Sequence, residues 1–204
     1  EYPTVDGHVS MDVYLNALRQ SFATFKSKYN KAYGRIPNYF DFSYFCFHTP
    51  FSKMVQKSFF ALLLEDIRDN QEALYEPSLV NRLRQSQFNW AKANAILSKS
   101  QFQNEWKDKC ERSLKLAKQL GNIYTGSLYN GLQSLLCDKT IDLSGKKVML
   151  FSYGSGCAAS LFFVHVKEGY QQHHLRVNAE FQERLDQRVR LSADDYDQWM
   201  VGIL

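Results

Sequence analysis

The chain has 204 residues, 45% of them hydrophobic and 15% aromatic, with a formal net charge of +4. Such a composition excludes a disordered tail and suffices for one large core or for half of a two-lobed enzyme. Lysines and arginines are interleaved with acids, without a block of like charges, which argues against a nucleic-acid partner and leaves at most a mild preference for an anionic ligand such as a phosphate.

Tyr2 to Gly7 reads as a turn, with Pro3 and Asp6-Gly7 as breakers, and Ser10 stands where a helix N-cap is expected. Met11, Tyr14, Leu15, Leu18, Phe22, Phe25 and Tyr29 then recur at helical spacing, predicting a long amphipathic helix that ends near Gly34. Asp41 to Phe47 is an aromatic run without a helical stripe and reads as a buried strand, ended by His48-Thr49-Pro50. Met54, Val55, Phe59, Leu62 and Leu63 mark a second helix. From about Asp69 to Gln119 the sequence is helical and polar, and residues 70–115 read as an outer-surface helical insertion. Gly121-Asn122 interrupts it, and Tyr124, Leu128, Leu132, Leu135 and Leu136 predict another amphipathic helix. Lys146 to Ser152 is a hydrophobic strand, Gly154-Ser155-Gly156 a tight loop, and Ala158 to Val166 the returning strand of a hairpin. A polar helical tail follows, with a cap at Ser192 to Asp195. With no internal repeat and no linker, residues 1–204 are expected to form one domain.

The four cysteines, Cys46, Cys110, Cys137 and Cys157, form no C-x-x-C pair and read as reduced, mostly buried thiols of a cytoplasmic protein. The five histidines make no metal pattern, His173 and His174 being adjacent, so no metal is expected. No apolar stretch reaches the ~18 residues of a membrane span. The N-terminus is not a signal peptide and lacks an initiator methionine, so the chain reads as an excised or processed segment.

Three places carry polar groups at the ends of buried elements. His48, at a strand-to-helix junction, can present its ring to a cleft for acid-base work or carbonyl polarisation; a histidine merely capping the next helix is the competing reading, and by composition alone the favoured one. Lys53 and Lys57, four apart at the start of that helix, share a face and lie near a helix N-terminus, where a phosphate-bearing ligand is favoured over bare solvent. An ordinary solvated face competes, and for two lysines alone it usually wins. Asn122 and Ser155 each follow a glycine that lets backbone approach a ligand; a cap and a hairpin turn are the alternatives.

The order of these motifs matters more than any one of them. Phe47-His48-Thr49-Pro50-Phe51-Ser52-Lys53-Met54-Val55-Gln56-Lys57, then Gly121-Asn122-Ile123-Tyr124-Thr125-Gly126-Ser127-Leu128-Tyr129, then Leu150-Phe151-Ser152-Tyr153-Gly154-Ser155-Gly156 closely resembles the hydroxymethylglutaryl-CoA synthases. The opening Tyr2 to Gly7 also looks like the family's segment just past mid-chain. The resemblance covers most of the chain and is weak between about 70 and 115. It implies an α/β, thiolase-like layered αβαβα fold, of which this chain is similar to the C-terminal half. It implies the condensation of acetyl-CoA with acetoacetyl-CoA: a cysteine is acetylated, a glutamate removes a methyl proton, the carbanion attacks the ketone carbon, and water releases the product. His48 matches the histidine that holds and polarises acetoacetyl-CoA. Asn122 and Ser155 match residues that contact the acyl group, and Lys53, Lys57 and Ser10 match coenzyme A contacts, although for Ser10 a plain helix cap stands equally.

The family's nucleophilic cysteine and its glutamate lie in the first half. None of the four cysteines here sits in the family's Ala-Cys-Tyr-Gly setting, and Cys157, where family members have an apolar residue, reads as small core packing. The chain also stops soon after Trp199, earlier than expected for a eukaryotic member. The expectation is therefore the acetoacetyl-CoA-binding part of a cytoplasmic mevalonate-pathway synthase, inactive by itself. Its partners would be coenzyme A thioesters as substrates, the missing N-terminal half, and a second copy in a homodimer, with no cofactor, nucleic acid or membrane. Two other readings stay open: a truncated non-catalytic acyl-CoA-binding homologue, and a polyketide β-branching synthase acting on carrier-bound thioesters.

Overall fold

The computed structural model describes residues 6–69, 72–154, 157–172, 181 and 183–202, so the Tyr2 to Val5 segment, Ser155, Gly156, His173 and His174 lie outside the described residues. The chain comprises two compact units, Glu1–Glu168 and Gly169–Leu204.

The first helix, α1 (Gly7–Tyr33), begins one turn earlier than its sequence suggests. Its N-cap is Asp6, whose carboxylate accepts the backbone N–H groups of His8 at 2.9 Å and Val9 at 3.1 Å. Aspartate caps as well as serine does, so the cap expected at Ser10 is not one. Ser10 instead lies in the first turn, its N–H donating to the Asp6 carbonyl at 2.9 Å. The helix stops at Gly34, where φ of 70° gives the left-handed cap that glycine adopts freely. Tyr14, Leu15, Leu18, Phe22, Phe25 and Tyr29 form its buried face, as their spacing requires.

Among the described residues one sheet carries the fold, in the order β1 (Tyr44–Phe47), β2 (Lys147–Gly154), β3 (Ala158–His165). β1 is shorter than the run from Asp41 suggests, because a capping box between Asn38 and Asp41 folds Tyr39–Asp41 into a 3-10 turn. β1 and β2 are parallel, with Cys46 opposite Leu150, and β2 and β3 form the expected antiparallel hairpin, with Leu150 opposite Phe162. A parallel pair needs a crossover. Here that crossover holds α2 (Ser52–Arg68), α3 (Pro77–Gln85), α4 (Trp90–Leu97), α5 (Phe102–Lys109), α6 (Ala117–Leu120) and α7 (Ser127–Leu136).

Side chains alternate between the faces of a sheet, and paired residues share a face. Phe45, Phe47, Met149, Phe151 and Phe163 therefore point one way, into the aromatic core built with α1 and α2. Cys46 points the other way, where Gly131 of α7 approaches it; a Cβ on that glycine would lie 3.8 Å from the Cys46 Cβ. The order is helices, sheet, helix. Residues 77–109 are helical, as read, but their apolar side chains are not peripheral: Leu83, Leu97, Phe102 and Trp106 are buried in the same core. One polar tie reaches them: the Tyr39 hydroxyl donates to Glu105 at 2.5 Å, while Tyr39 is itself held by Asp66, which accepts its N–H at 3.0 Å and the Tyr75 hydroxyl at 2.5 Å.

In the second unit Ala193–Val201 forms a helix opened by the expected capping box between Ser192 and Asp195.

Candidate active site

The site grows from the end of β1. His48 continues the strand for one residue, its N–H donating to the Phe151 carbonyl at 2.8 Å. Thr49 Oγ1 then turns back onto the Phe47 carbonyl at 2.9 Å, and Pro50, which has no N–H, lets the chain leave the sheet and enter α2. The histidine ring is thereby left at the mouth of the fold, where a cavity of about 580 Å³ opens. That size suits a small-molecule site.

Four segments build the cavity wall. α1 contributes Gly7, Ser10, Met11 and Tyr14; the β1–α2 junction contributes His48, Pro50, Phe51 and Met54; the turn before α7 contributes Asn122, Tyr124 and Thr125; the end of β2 contributes Tyr153 and Gly154. The wall is largely apolar and aromatic, and no carboxylate stands in it among the described residues.

His48 is buried, and its pKa lies below the usual 6.5 because burial strips water from the imidazolium. Neither ring nitrogen has a hydrogen-bond partner among the described residues, and without an acid beside it nothing restores the charge. The resident form at neutral pH is neutral imidazole, which offers one N–H donor and one lone pair. A group whose folded pKa is depressed takes its proton only below its ordinary value. The His48 ring is therefore expected to remain neutral from about pH 8 to about pH 6.5 and to take its proton only beneath. An NMR titration of the ring checks this; a His48 signal, identified by its loss in His48→Gln, that titrates with a midpoint at or above about pH 6.5 would contradict it.

Asn122 is held by its own turn. Gly121, at φ of 75°, ends α6, and Asn122 Oδ1 accepts the Tyr124 N–H at 2.9 Å and the Ser127 hydroxyl at 2.8 Å. The side-chain oxygen thus closes a turn ahead of α7 and is not a helix cap, since neither α7 nor the 3-10 turn Tyr124–Gly126 has a side-chain cap, and Nδ2 has no hydrogen-bond partner among the described residues. The same turn forces Tyr124 to φ of 54° and leaves it 80% exposed, so it is not on the buried stripe of α7 as its spacing suggests.

Ser10 lines the cavity. Lys53 and Lys57 do not; they flank Met54, which does, and the Lys57 ammonium lies 3.6 Å from Met11 Sδ, just behind the wall. Ser155 lies outside the described residues, although its neighbour Gly154 is part of the wall.

Cys157 is a correction. It is exposed, at φ of 60°, where the sequence reading placed it as small core packing; it lines a separate groove between α1 and β3. Its place just before β3, the edge strand of the sheet, leaves it beside an open groove instead of inside the core. None of the other thiols lines the cavity. Burial pushes Cys46 and Cys110 far above the thiol range and Cys137 upward as well.

Residues 1–202 match the family model for the hydroxymethylglutaryl-coenzyme A synthase C terminal. The chain belongs to the hydroxymethylglutaryl-CoA synthase family. Hydroxymethylglutaryl-CoA synthase A of Dictyostelium discoideum is 35% identical over 198 residues, covering 95% of this chain and 40% of that protein. The mitochondrial hydroxymethylglutaryl-CoA synthase of Bos taurus is 35% identical over 218 residues, covering 98% of this chain and 42% of the relative. Among solved structures, MvaS in complex with 3-hydroxy-3-methylglutaryl coenzyme A superposes with a TM-score of 0.75 at 30% identity, over 97% of this chain and 44% of that one. An HMG-CoA synthase complexed with CoA superposes with a TM-score of 0.63 at 28% identity, over 96% and 40% respectively. The chain thus spans under half the length of these synthases, and its fold is the C-terminal part of their thiolase-like architecture.

Motif reading of this synthase segment found His48, Asn122 and Ser10 but passed over Tyr14, Met11, Thr125 and Tyr153 as wall residues. Tyr14 was legible only as core. One signal was present: a tyrosine in a stripe of Leu and Phe needs a partner for its hydroxyl once buried.

Proposed function

We propose that this chain forms the acetoacetyl-CoA-binding part of an enzyme that condenses acetyl-CoA with acetoacetyl-CoA to give 3-hydroxy-3-methylglutaryl-CoA. The observation that carries the reading is the meeting of His48 and Asn122, 74 positions apart (122 − 48) in the sequence, in one aromatic cavity. The neutral His48 N–H and the Asn122 Nδ2 group are two donors suited to the oxygens of an acetoacetyl thioester. A donor on the ketone oxygen withdraws electrons from the ketone carbon and stabilises the alkoxide that forms when a carbanion adds to it. The apolar wall excludes water from that carbanion.

The attacking acetyl group needs a thiolate, and no cysteine lines this cavity among the described residues. In this reading the acetyl-carrying cysteine and the base that removes the methyl proton come from the part of the synthase that precedes this segment, and the working enzyme is a homodimer. The pathway is the mevalonate route. No helix among the described residues is long and apolar enough to cross a membrane, and the free thiols favour a reducing, cytoplasmic setting.

Lys53 and Lys57 supply the charge for the nucleotide end of coenzyme A: neither lines the cavity, but each stands beside a residue that does, Lys53 next to Met54 and the Lys57 ammonium 3.6 Å from Met11 Sδ. Replacing both by Gln in the full-length protein should raise Kd for acetoacetyl-CoA about tenfold, as expected for two solvent-facing charge-assisted contacts. A truncated acetoacetyl thioester without the nucleotide should lose less than about twofold. Isothermal titration with the two ligands tests the reading. Equal weakening of both would refute the lysine assignment, and turnover by the 204-residue segment alone would refute the division of labour.

A further inference from the structure

Among the described residues His48 has no hydrogen-bond partner on its ring. Its main chain is gripped from two sides: the N–H donates to the Phe151 carbonyl at 2.8 Å, and the carbonyl accepts the Tyr14 hydroxyl at 2.8 Å. Tyr14 comes from α1, is 2% exposed, and its burial pushes the phenol above its usual range, so it remains a proton donor across the working pH. Its ring faces the imidazole at 6.4 Å between centroids, with 28° between planes. Tyr153 packs against both, 5.0 Å from Tyr14 and 6.4 Å from His48, and Phe151 closes edge-on against Tyr14 at 5.3 Å.

We propose that Tyr14 is the positioning residue for His48: its hydroxyl clamps the His48 carbonyl and its ring, with that of Tyr153, sets the plane of the imidazole. In many sites a carboxylate on the second ring nitrogen orients a histidine and also makes it more basic. Tyr14 orients through the main chain and the ring face and adds no charge. The two tasks are thereby separated, and the histidine is aimed while staying a neutral donor. Without the hydroxyl, the His48 carbonyl is left unsatisfied in a buried place, which costs enough to drive a local rearrangement. Any rotation of that peptide carries the ring with it.

The kinetic part of the test rests on the proposed role of His48; a spectroscopic part does not. In the full-length protein, Tyr14→Phe keeps the ring and removes the hydroxyl. Condensation kcat should fall about tenfold, the equivalent of one neutral hydrogen bond. KM for acetoacetyl-CoA should move less than about threefold and cysteine acetylation should be unchanged, because the ligand still binds but meets a misaligned donor. The His48 signal in protein labelled with 13Cε1-histidine, assigned by its loss in His48→Gln, should shift or broaden. Incorporation of 3-fluorotyrosine at position 14, which keeps the fold and alters only the donor strength, should also move that signal. If the signal moves while both His48→Ala and Tyr14→Phe turn over normally, the clamp stands and the assignment of His48 to the reaction falls. An unmoved His48 signal in both the Phe and fluorotyrosine proteins, or equal losses of acetylation and condensation, would overturn the positioning role.

Discussion

Replacing His48 by Ala in the complete enzyme should lower the condensation rate by about 10²–10³-fold while leaving acetylation of the nucleophilic cysteine within about twofold of normal. The asymmetry follows from the site. His48 faces a cavity that holds no thiol among the described residues, so under the proposed assignment its loss would remove a donor from the second substrate and nothing from the first. In that assignment the neutral state set by burial would leave the ring a hydrogen-bond donor to a developing alkoxide, a contact that tightens in the transition state. His48→Gln should recover part of the loss, since its amide can donate without titrating. Burst-phase acetylation and steady-state condensation separate the two steps. Loss of acetyl-enzyme in a folded His48→Ala protein would show that the histidine serves the nucleophile instead.

The second large effect is on stability. Phe45→Ala is expected to cost about 3–5 kcal/mol, a large part of the about 5–15 kcal/mol that holds a domain together. Phe45 is fully buried at 0% exposure. Its ring stacks on Tyr39 at 5.2 Å with 7° between planes, and meets Phe59 edge-on at 5.5 Å and Phe42 at 6.4 Å. Those neighbours belong to the 3-10 turn, the loop before β1 and α2, and the rings are too rigid to close over the space a phenyl group leaves. Ile36→Ala, at a site 53% exposed, should change stability by less than about 0.5 kcal/mol. Urea denaturation of both variants provides the comparison. A Phe45→Ala loss below about 1 kcal/mol would mean that the aromatic cluster can collapse and is not the rigid seat of β1. Because β1 carries His48, the same variant should also loosen the site.

Helix positions, the hairpin and both Gly-ended turns were legible because they rest on local rules: apolar spacing in α1 and α2, the alternation of β2 and β3, and positive φ at Gly34 and Gly121. The errors arose where two local rules compete. Asp6 and Ser10 are equally good caps by residue type, and it is Asp6 whose carboxylate accepts the His8 and Val9 N–H groups. Tyr124 fits the apolar spacing of α7, but the Asn122 side chain takes its N–H and turns it outward. Cys157 has the size and chemistry of a core residue, and its exposure follows from its place at the open edge of the sheet.

By itself, the sequence determined the element order, the family, and the candidate site residues: a histidine after a strand, an asparagine after a glycine and paired lysines on a helix. Only the tertiary structure decided that His48 and Asn122 share one cavity, because their convergence depends on the parallel pairing of β1 with β2 and on α7 returning beneath the sheet. The same holds for the grip of Tyr14 on His48. A hydrogen bond between residues 34 apart has no local signature; it exists because α1 crosses the sheet at the end of β1, and that crossing is set by the packing of the whole core.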